Sequence, residues 1–213
     1  MILNYRYKSL IEAILCSIAL MVFSYFIHYE FPFRLISFAA LIVPAWFFSR
    51  KLQSLSDLKN VIGKSASLKI TILFNAAGFL LGLLLAVIYR WHLEISLFPE
   101  SIQLFVILAA LIGCIEELVF RGLIQDYIKC ISAPFSILFS TLSHTGYKCC
   151  LFLSPVIAAN IDIGFLALYT FLAGLILGTI KHYSKSIMPS LIAHGLFDIL
   201  VYAEYLNAPW WVW

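Results

Sequence analysis

The chain has 213 residues, of which 63% are hydrophobic and 12% are charged. Soluble globular domains are roughly half apolar and about one quarter charged, so this composition excludes an ordinary soluble domain and indicates a polytopic membrane protein. The 14 Lys and Arg residues form no stripe or run, which argues against a nucleic-acid-binding surface.

The apolar runs predict an all-α fold, a polytopic bundle of about seven to eight transmembrane helices around an intramembrane polar cavity. The predicted spans, in chain order, cover residues 10–27, 35–48, 70–88, 102–117, 134–147, 164–180 and 187–205. Residues 50–69 form the longest polar stretch and predict a loop, and residues 90–100 predict a loop or an interfacial segment. Residues 121–130 predict a helix with a polar edge, and the Pro-interrupted stretch 149–161 predicts a re-entrant or surface helix.

Neither a repeat nor a linker interrupts these spans, so the sequence predicts one integral-membrane domain over residues 1–213. Within it, residues 1–100 supply the N-terminal spans and residues 101–205 form the core that carries the polar motifs.

Basic residues are distributed unequally between the two sides of the predicted bundle. With the N-terminus inside, the inner segments hold eleven Lys and Arg residues and the outer segments hold three, Arg34, Arg90 and Lys148. Cytoplasmic loops carry the excess of basic residues in membrane proteins, so the N-terminus is predicted to be cytoplasmic. The small size and short loops favour a bacterial inner membrane as the location.

Ionisable side chains occur in three of the apolar segments, where a charge is costly. Glu116 and Glu117 end the fourth span, His144 lies in the fifth, and His194 and Asp198 lie in the seventh. Groups at such depth usually face a bundle interior and have a function there, so these five residues form the candidate site.

Spacing along each helix indicates partners within this set. Glu117 and Arg121 are four residues apart, which predicts an ion pair on one helix face. Glu116 lies about 100° from Glu117 around the helix and is predicted to be available for chemistry. His194 and Asp198 are also four residues apart, so Asp198 either fixes the histidine tautomer or points, with His194, at a substrate oxygen.

A carboxylate and two histidines in a semi-dry cavity support hydrolysis by two routes. In one, the carboxylate acts as general base on a water molecule while imidazole stabilises the oxyanion. In the other, the same groups bind zinc. The spacing leaves both routes open, although the sequence contains neither the HExxH motif of zinc proteases nor the GxSxG motif of serine hydrolases.

The order of these motifs resembles the CAAX-protease and bacteriocin-processing (CPBP/Abi) family of intramembrane glutamic endopeptidases, which includes the Ras-converting CAAX endopeptidase. The resemblance covers about residues 104–202 and rests on three motifs: Glu116-Glu117-x-x-x-Arg121, then His144, then His194-x-x-x-Asp198. One position departs from the pattern, because Ser140 stands where the second motif, Phe-x-x-x-His, has its Phe. That Phe is a packing residue, so the departure removes no reacting group.

The resemblance implies four catalytic and two supporting residues: Glu116, His144, His194 and Asp198, then Glu117 and Arg121. Glu116 would activate water, and His144 would help to position or polarise it. His194 and Asp198 would stabilise the oxyanion, which requires Asp198 to be protonated or to act through His194, since a bare carboxylate repels an oxyanion.

The resemblance also implies the partners of the protein: a membrane-anchored peptide or protein as substrate and the lipid bilayer, with no nucleic acid. No cofactor and no metal are expected in this route. The alternatives are a zinc-dependent variant of the same hydrolysis and a non-enzymatic immunity or scaffold membrane protein. A small proton-coupled transporter is disfavoured, because the chain shows no two-fold repeat of broken helices.

Overall fold

The chain folds into helices, which confirms the all-α prediction. The structure is a computed structural model that describes residues 2–65, 67–155 and 161–206. Its elements in chain order are α1 (Ile2–Phe26), α2 (Arg34–Lys51), α3 (Leu55–Ile62), α4 (Leu68–His92), α5 (Phe105–Glu117), the π segment (Leu118–Gln125), α6 (Asp126–Ile128), α7 (Ala133–Leu153), α8 (Ile163–Ser184) and α9 (Met188–Val201).

Several of the described helices are long and apolar enough to cross a bilayer. Three qualify by themselves, Arg6–Phe26, Leu68–His92 and Ile163–Ser184, and a fourth crossing results if α2 and α3, bent by 99° at the break between them, form one span. With its 14 residues, α9 is about 21 Å long, less than the hydrocarbon core of about 30 Å. A polytopic helical membrane protein is confirmed, with fewer full-length spans among the described residues than the seven predicted.

The structure corrects several predicted boundaries. The predicted loop at 50–69 contains α3, and the predicted loop at 90–100 begins inside α4, because nothing between Tyr89 and His92 breaks a helix. The fifth span runs on to Leu153 and so includes the start of the predicted re-entrant segment. The rest of that prediction, at 156–160, lies outside the described residues. After Glu117 the chain forms a π-helical segment, which the apolar pattern does not reveal.

Two compact units, interleaved along the sequence, make up the chain. The first comprises Met1–Asn60 and Leu123–Gly178, and the second comprises Val61–Gly122 and Thr179–Trp213. The prediction of a single domain over residues 1–213 stays a prediction.

In the first unit, α1 packs against α2 and α7. The hydroxyl groups of Ser17 on α1 and Ser143 on α7 lie 2.9 Å apart and share a hydrogen bond. The end of the π segment is tied to α8, where the Gln125 side-chain amide donates to the carbonyl of Gly178 at 3.0 Å. Two features are typical of helix contacts in membranes: hydrogen bonds between polar side chains of different helices, and glycines that let the helices pack closely.

In the second unit, α9 packs against both α4 and α5. The contact with α4 is close because Gly78 and Gly82 face the backbone carbonyls of Pro189 and Ala193. Small residues at such positions let two helix backbones approach within direct van der Waals contact.

A buried arginine ties the end of α4 to the end of α9. Arg90 is fully buried. Its guanidinium donates to the carbonyl of Ser96 at 2.6 Å, to the carbonyl of Leu200 at 2.9 Å and to Glu204 Oε2 at 3.2 Å. The five N–H donors of arginine make such burial possible when carbonyl and carboxylate acceptors surround them. Arg90 is therefore part of the helix packing and does not lie in an exposed loop.

Candidate active site

The acidic pair of the candidate site lies at the end of α5, the apolar helix of the second unit. Glu116 is 5% exposed and Glu117 is fully buried. The predicted ion pair between Glu117 and Arg121 is present, with Glu117 Oε1 at 3.3 Å from Arg121 Nη1, and both side chains are almost completely buried. The two charges therefore compensate each other inside the protein, as buried charges require.

Arg121 lies inside the π segment, directly after the acidic pair. The transition begins at Leu118, whose backbone N–H reaches the carbonyls of both Cys114 and Ile115. A π-helical turn places residues on different faces from those that an α-helix would give, and such turns often occur at functional sites. The i, i+4 ion pair nevertheless forms across this junction.

The other two motif residues of this unit lie on α9. His194 and Asp198 are one helical turn apart, and both are buried. Pro189 lies in the first turn of α9, where its missing N–H costs no hydrogen bond. Because α9 packs directly on α5, the first and third sequence motifs face each other although 77 residues separate Glu117 from His194.

A contact between Glu117 and His194 joins the two helices. Glu117 Oε1 lies 3.0 Å from His194 Nδ1, in addition to its contact with Arg121. An ionised carboxylate only accepts hydrogen bonds, so Nδ1 carries the proton and donates it. The sequence had left Asp198 as one candidate for fixing the histidine tautomer. In the structure, it is Glu117 that accepts the hydrogen bond from His194 Nδ1 and so fixes the tautomer.

The remaining imidazole nitrogen lies between two carboxylates. His194 Nε2 is 3.8 Å from Glu116 Oε2 and 3.7 Å from Asp198 Oδ2. Both separations exceed a direct hydrogen bond, and a water molecule or substrate oxygen that lies to one side of either pair can contact both atoms. Glu116, His194 and Asp198 thus surround a point that is suited to a small polar group.

The charges of this cluster are not balanced among its own members. Three carboxylates, Glu116, Glu117 and Asp198, outnumber the two groups that can be cationic, Arg121 and His194. Carboxylates that lie close together in a dry site cannot all remain ionised at low cost. Such an excess favours proton exchange at the site.

His144 and Ser140 belong to the first unit, on α7. Both residues are buried, and they are separated by one helical turn, as the second motif requires. The ring of His144 is stacked with that of Tyr147, with 6.4 Å between the ring centroids. The structure thus brings Glu116, Glu117, Arg121, His194 and Asp198 together in one unit, and it places His144 in the buried face of α7.

Within residues 2–65, 67–155 and 161–206, no group of three or more His, Cys, Asp or Glu side chains lies where it could hold one metal ion. The absence of a cofactor stays a prediction, and the zinc-dependent variant stays its alternative.

One feature of the site was missed by sequence reasoning, the bond between Glu117 and His194. Glu117 was assigned only to Arg121, because that partner lies within reach along the same helix. No local spacing signals a partner that is 77 residues away.

Comparison with known proteins gives one match. Residues 97–200 match a protein-family model described as "Type II CAAX prenyl endopeptidase Rce1-like". Neither a comparison with curated proteins nor one with solved structures gave a match. The matched segment contains all five residues of the candidate site, namely Glu116, Glu117, His144, His194 and Asp198. Residues 97–200 are therefore similar to the Rce1-like type II CAAX prenyl endopeptidases, in agreement with the family that the motif order predicts.

Proposed function

We propose that this protein is an intramembrane endopeptidase in which Glu116 activates the water that hydrolyses a peptide bond. The observation that carries the proposal is the position of His194 Nε2, which lies 3.8 Å from Glu116 Oε2 and 3.7 Å from Asp198 Oδ2. A water molecule held between Glu116 and His194 would lie within hydrogen-bond reach of a carboxylate base, as general base catalysis requires.

In the proposed reaction, Glu116 removes a proton from the water as its oxygen attacks the scissile carbonyl carbon. The carbonyl oxygen becomes an oxyanion beside His194 Nε2, which donates a hydrogen bond to it when the imidazole is protonated. The C–N bond then breaks, and Glu116 returns its proton to the leaving amine. Glu117 supports this step because it holds His194 Nδ1 at 3.0 Å while it is itself paired with Arg121.

Asp198 takes part as a neutral group or through His194. An ionised carboxylate would repel the oxyanion, whereas a protonated one would donate a hydrogen bond to it. The excess of carboxylates over cations in the cluster supports the neutral form, because ionising a third acid beside two others is unfavourable.

His144 is proposed to help position or polarise the attacking water. This role comes from the motif order, in which a histidine on the helix after the acidic pair completes the set. Its burial on α7, one turn after Ser140, is compatible with a polar role inside the protein. Replacement of His144 by Ala is expected to reduce turnover, and an unchanged rate would remove His144 from the mechanism.

The substrate is proposed to be a membrane-anchored peptide or protein, with the lipid bilayer as the second partner. This class follows from the family and from an acidic site located among apolar helices. The bias of basic residues supports a cytoplasmic N-terminus, and the small chain supports a bacterial inner membrane.

The decisive experiment replaces Glu116 by Gln, which keeps the size of the side chain and removes the base. The purified protein in liposomes is given a fluorogenic, lipid-anchored CAAX peptide. We expect cleavage to fall by about 100-fold to 10,000-fold, the usual contribution of a general base. Thermal unfolding in detergent should match the unmodified protein. As a matched control, Glu12→Gln changes a glutamate of the first unit that also pairs with an arginine, and it should keep the cleavage rate.

Two outcomes would contradict the proposal. Full cleavage by Glu116→Gln would exclude Glu116 as the base. Absence of cleavage by the unmodified protein, together with normal function of Glu116→Gln and His144→Ala in cells, would favour the non-enzymatic immunity or scaffold protein. A strong chelator separates the hydrolytic routes, since loss of activity that added zinc restores would favour the zinc-dependent variant.

A further inference from the structure

Gly113 on α5 lies directly against the site residues of α9. A Cβ atom at position 113 would overlap Asp198 Oδ2, and it would lie 2.9 Å from His194 Cδ2 and 3.2 Å from Asp198 Cγ. The carboxylate of Asp198 therefore fills the space that any other residue at position 113 would use for its own side chain.

The place of Gly113 along α5 gives this contact its importance. Gly113 precedes Glu116 by three residues and Glu117 by four, so all three lie on one side of the helix. Asp198 thus lies against the α5 backbone one turn before the acidic pair. From there its Oδ2 is 3.7 Å from His194 Nε2.

We propose that Gly113 is a positioning residue of the active site, because its missing side chain allows Asp198 to lie against α5 within reach of the point that His194 and Glu116 share. This inference rests on the proposed function, in which Asp198 helps to stabilise the oxyanion.

Other glycines of the second unit show why the expected effect is specific. At Gly78 and Gly82, a Cβ would overlap the backbone carbonyl oxygens of Pro189 and Ala193. A backbone carbonyl cannot move aside, so alanine at Gly82 must separate α4 from α9. At Gly113 the obstacles are side chains: the end of Asp198, which can rotate away, and His194 Cδ2 at 2.9 Å, which needs only a small shift of the ring. Gly113→Ala therefore moves a catalytic group and leaves the helix packing in place.

Gly195 provides a matched control on α9, next to His194. A Cβ there would lie 3.7 Å from Cys114 Sγ and 4.0 Å from Ala110 Cβ, which are ordinary van der Waals distances. Gly195→Ala should leave both activity and stability near those of the unmodified protein.

The first test compares the kinetics of Gly113→Ala, Gly195→Ala and Gly82→Ala on the lipid-anchored peptide. A small misplacement of a catalytic group costs about 10-fold to 100-fold in rate. We expect Gly113→Ala to lose that much in kcat with little change in KM, because Asp198 acts in the transition state. Gly82→Ala should mainly lower Tm. A wild-type kcat in Gly113→Ala would overturn the proposal.

The second test is a double-mutant cycle with Asp198→Ala, followed by thermal unfolding. Gly113→Ala should lower Tm by about 2–4 °C in the unmodified background and much less in the Asp198→Ala background, where the overlapping oxygen is gone. An equal loss of Tm in both backgrounds would overturn the proposal. If Gly113→Ala folds poorly, recovery of folding in the double variant supports it, and equally poor folding of the double variant contradicts it.

This cycle needs no substrate, so it separates the two proposals. Coupling between positions 113 and 198 in Tm, combined with full activity of Glu116→Gln, would retain the contact and reject the protease mechanism. Loss of activity in Glu116→Gln without such coupling would retain the protease and reject the role of Gly113.

Discussion

Two glutamates, one in each unit, pair with arginine in different surroundings. In the first unit, Glu12 Oε1 lies 3.6 Å from Arg50 Nη1, and Glu12 Oε2 accepts a hydrogen bond from the Tyr127 hydroxyl. In the second unit, Glu117 Oε1 contacts Arg121 and His194 at 3.3 Å and 3.0 Å. Each glutamate joins helices that are distant along the chain.

The neighbours of the two glutamates differ in charge. Around Glu12 lie cations and aromatic rings, with Lys51 Nζ at 4.1 Å from the centre of the Tyr127 ring and Arg50 at 4.7 Å from that of Trp46. Around Glu117 lie two further carboxylates, separated from His194 Nε2 by 3.7 Å and 3.8 Å. A cluster in which cations compensate the carboxylate holds helices together, whereas a cluster with more carboxylates than cations suits proton transfer.

The largest expected loss of stability comes from breaking the Glu117–Arg121 pair, and it is compared with the loss from breaking the Glu12–Arg50 pair. Glu117→Gln leaves the buried Arg121 without its carboxylate, which costs about 3–5 kcal/mol when the pair is desolvated. Glu12→Gln affects a pair whose Arg50 side chain is 49% exposed, and the expected cost is about 1 kcal/mol or less. Thermal unfolding of both variants in the same detergent measures the difference.

Equal losses of Tm in Glu117→Gln and Glu12→Gln would contradict the distinction between the two clusters. A second measurement separates a loss of activity from a loss of folding. At a temperature where both variants are folded, Glu117→Gln should cleave the peptide more slowly because His194 loses its support, and Glu12→Gln should cleave at the unmodified rate.

Substitutions of Asp198 test whether the third carboxylate of the Glu117 cluster has a function. Removing an oxyanion donor costs about 100-fold to 1,000-fold in kcat, so we expect that loss for Asp198→Ala. Asp198→Asn keeps the shape of the side chain. Its amide is always a hydrogen-bond donor, whereas the carboxylate must first be protonated to donate. Its kcat should remain within about 10-fold of the unmodified protein if the acid acts in its neutral form.

The comparison of Asp198→Asn with Asp198→Ala has a clear opposing outcome. If both variants lose activity to the same degree, the charge of the carboxylate is required and the neutral-donor role is wrong. Steady-state kinetics on the lipid-anchored peptide, with His194→Ala as the fully impaired reference, distinguishes these cases.

The smallest expected effect concerns Glu204, which lies beyond the end of α9 and is about one third exposed. Its pKa is lowered from the ordinary value of 4.5, chiefly by the hydrogen bond from the Glu100 backbone N–H and then by Arg90. A lowered pKa means that this carboxylate stabilises the fold above pH 4.5, and that the contribution is lost as the pH falls through the lower folded value.

Acid titration of Tm tests this contribution. Below about pH 4.5 the unmodified protein should lose more Tm than Glu204→Gln, whose amide does not titrate. Glu94→Gln, at an exposed position in the loop after α4, serves as the control. Parallel acid curves for the unmodified protein and Glu204→Gln would show that this carboxylate contributes nothing.

Helix positions were largely predictable because they depend on local apolar runs. The predicted spans 70–88 and 164–180 lie inside α4 (Leu68–His92) and α8 (Ile163–Ser184). Errors occurred where the signal is not local. The sequence places Arg90 outside the helices because its acceptors Leu200, on α9, and Glu204, beyond α9, are 110 and 114 positions away. The spacing of apolar residues over Leu118–Gln125 does not distinguish the π segment from an α-helix.

The sequence by itself determined the membrane class, the family motifs and the pairs that share one helix face, such as Glu117 with Arg121, because one helical turn places such residues together. Only the tertiary structure decided which group holds His194 and where Asp198 lies. Those contacts depend on the packing of α9 on α5, where the Asp198 side chain lies against Gly113, and no spacing within either helix encodes that approach.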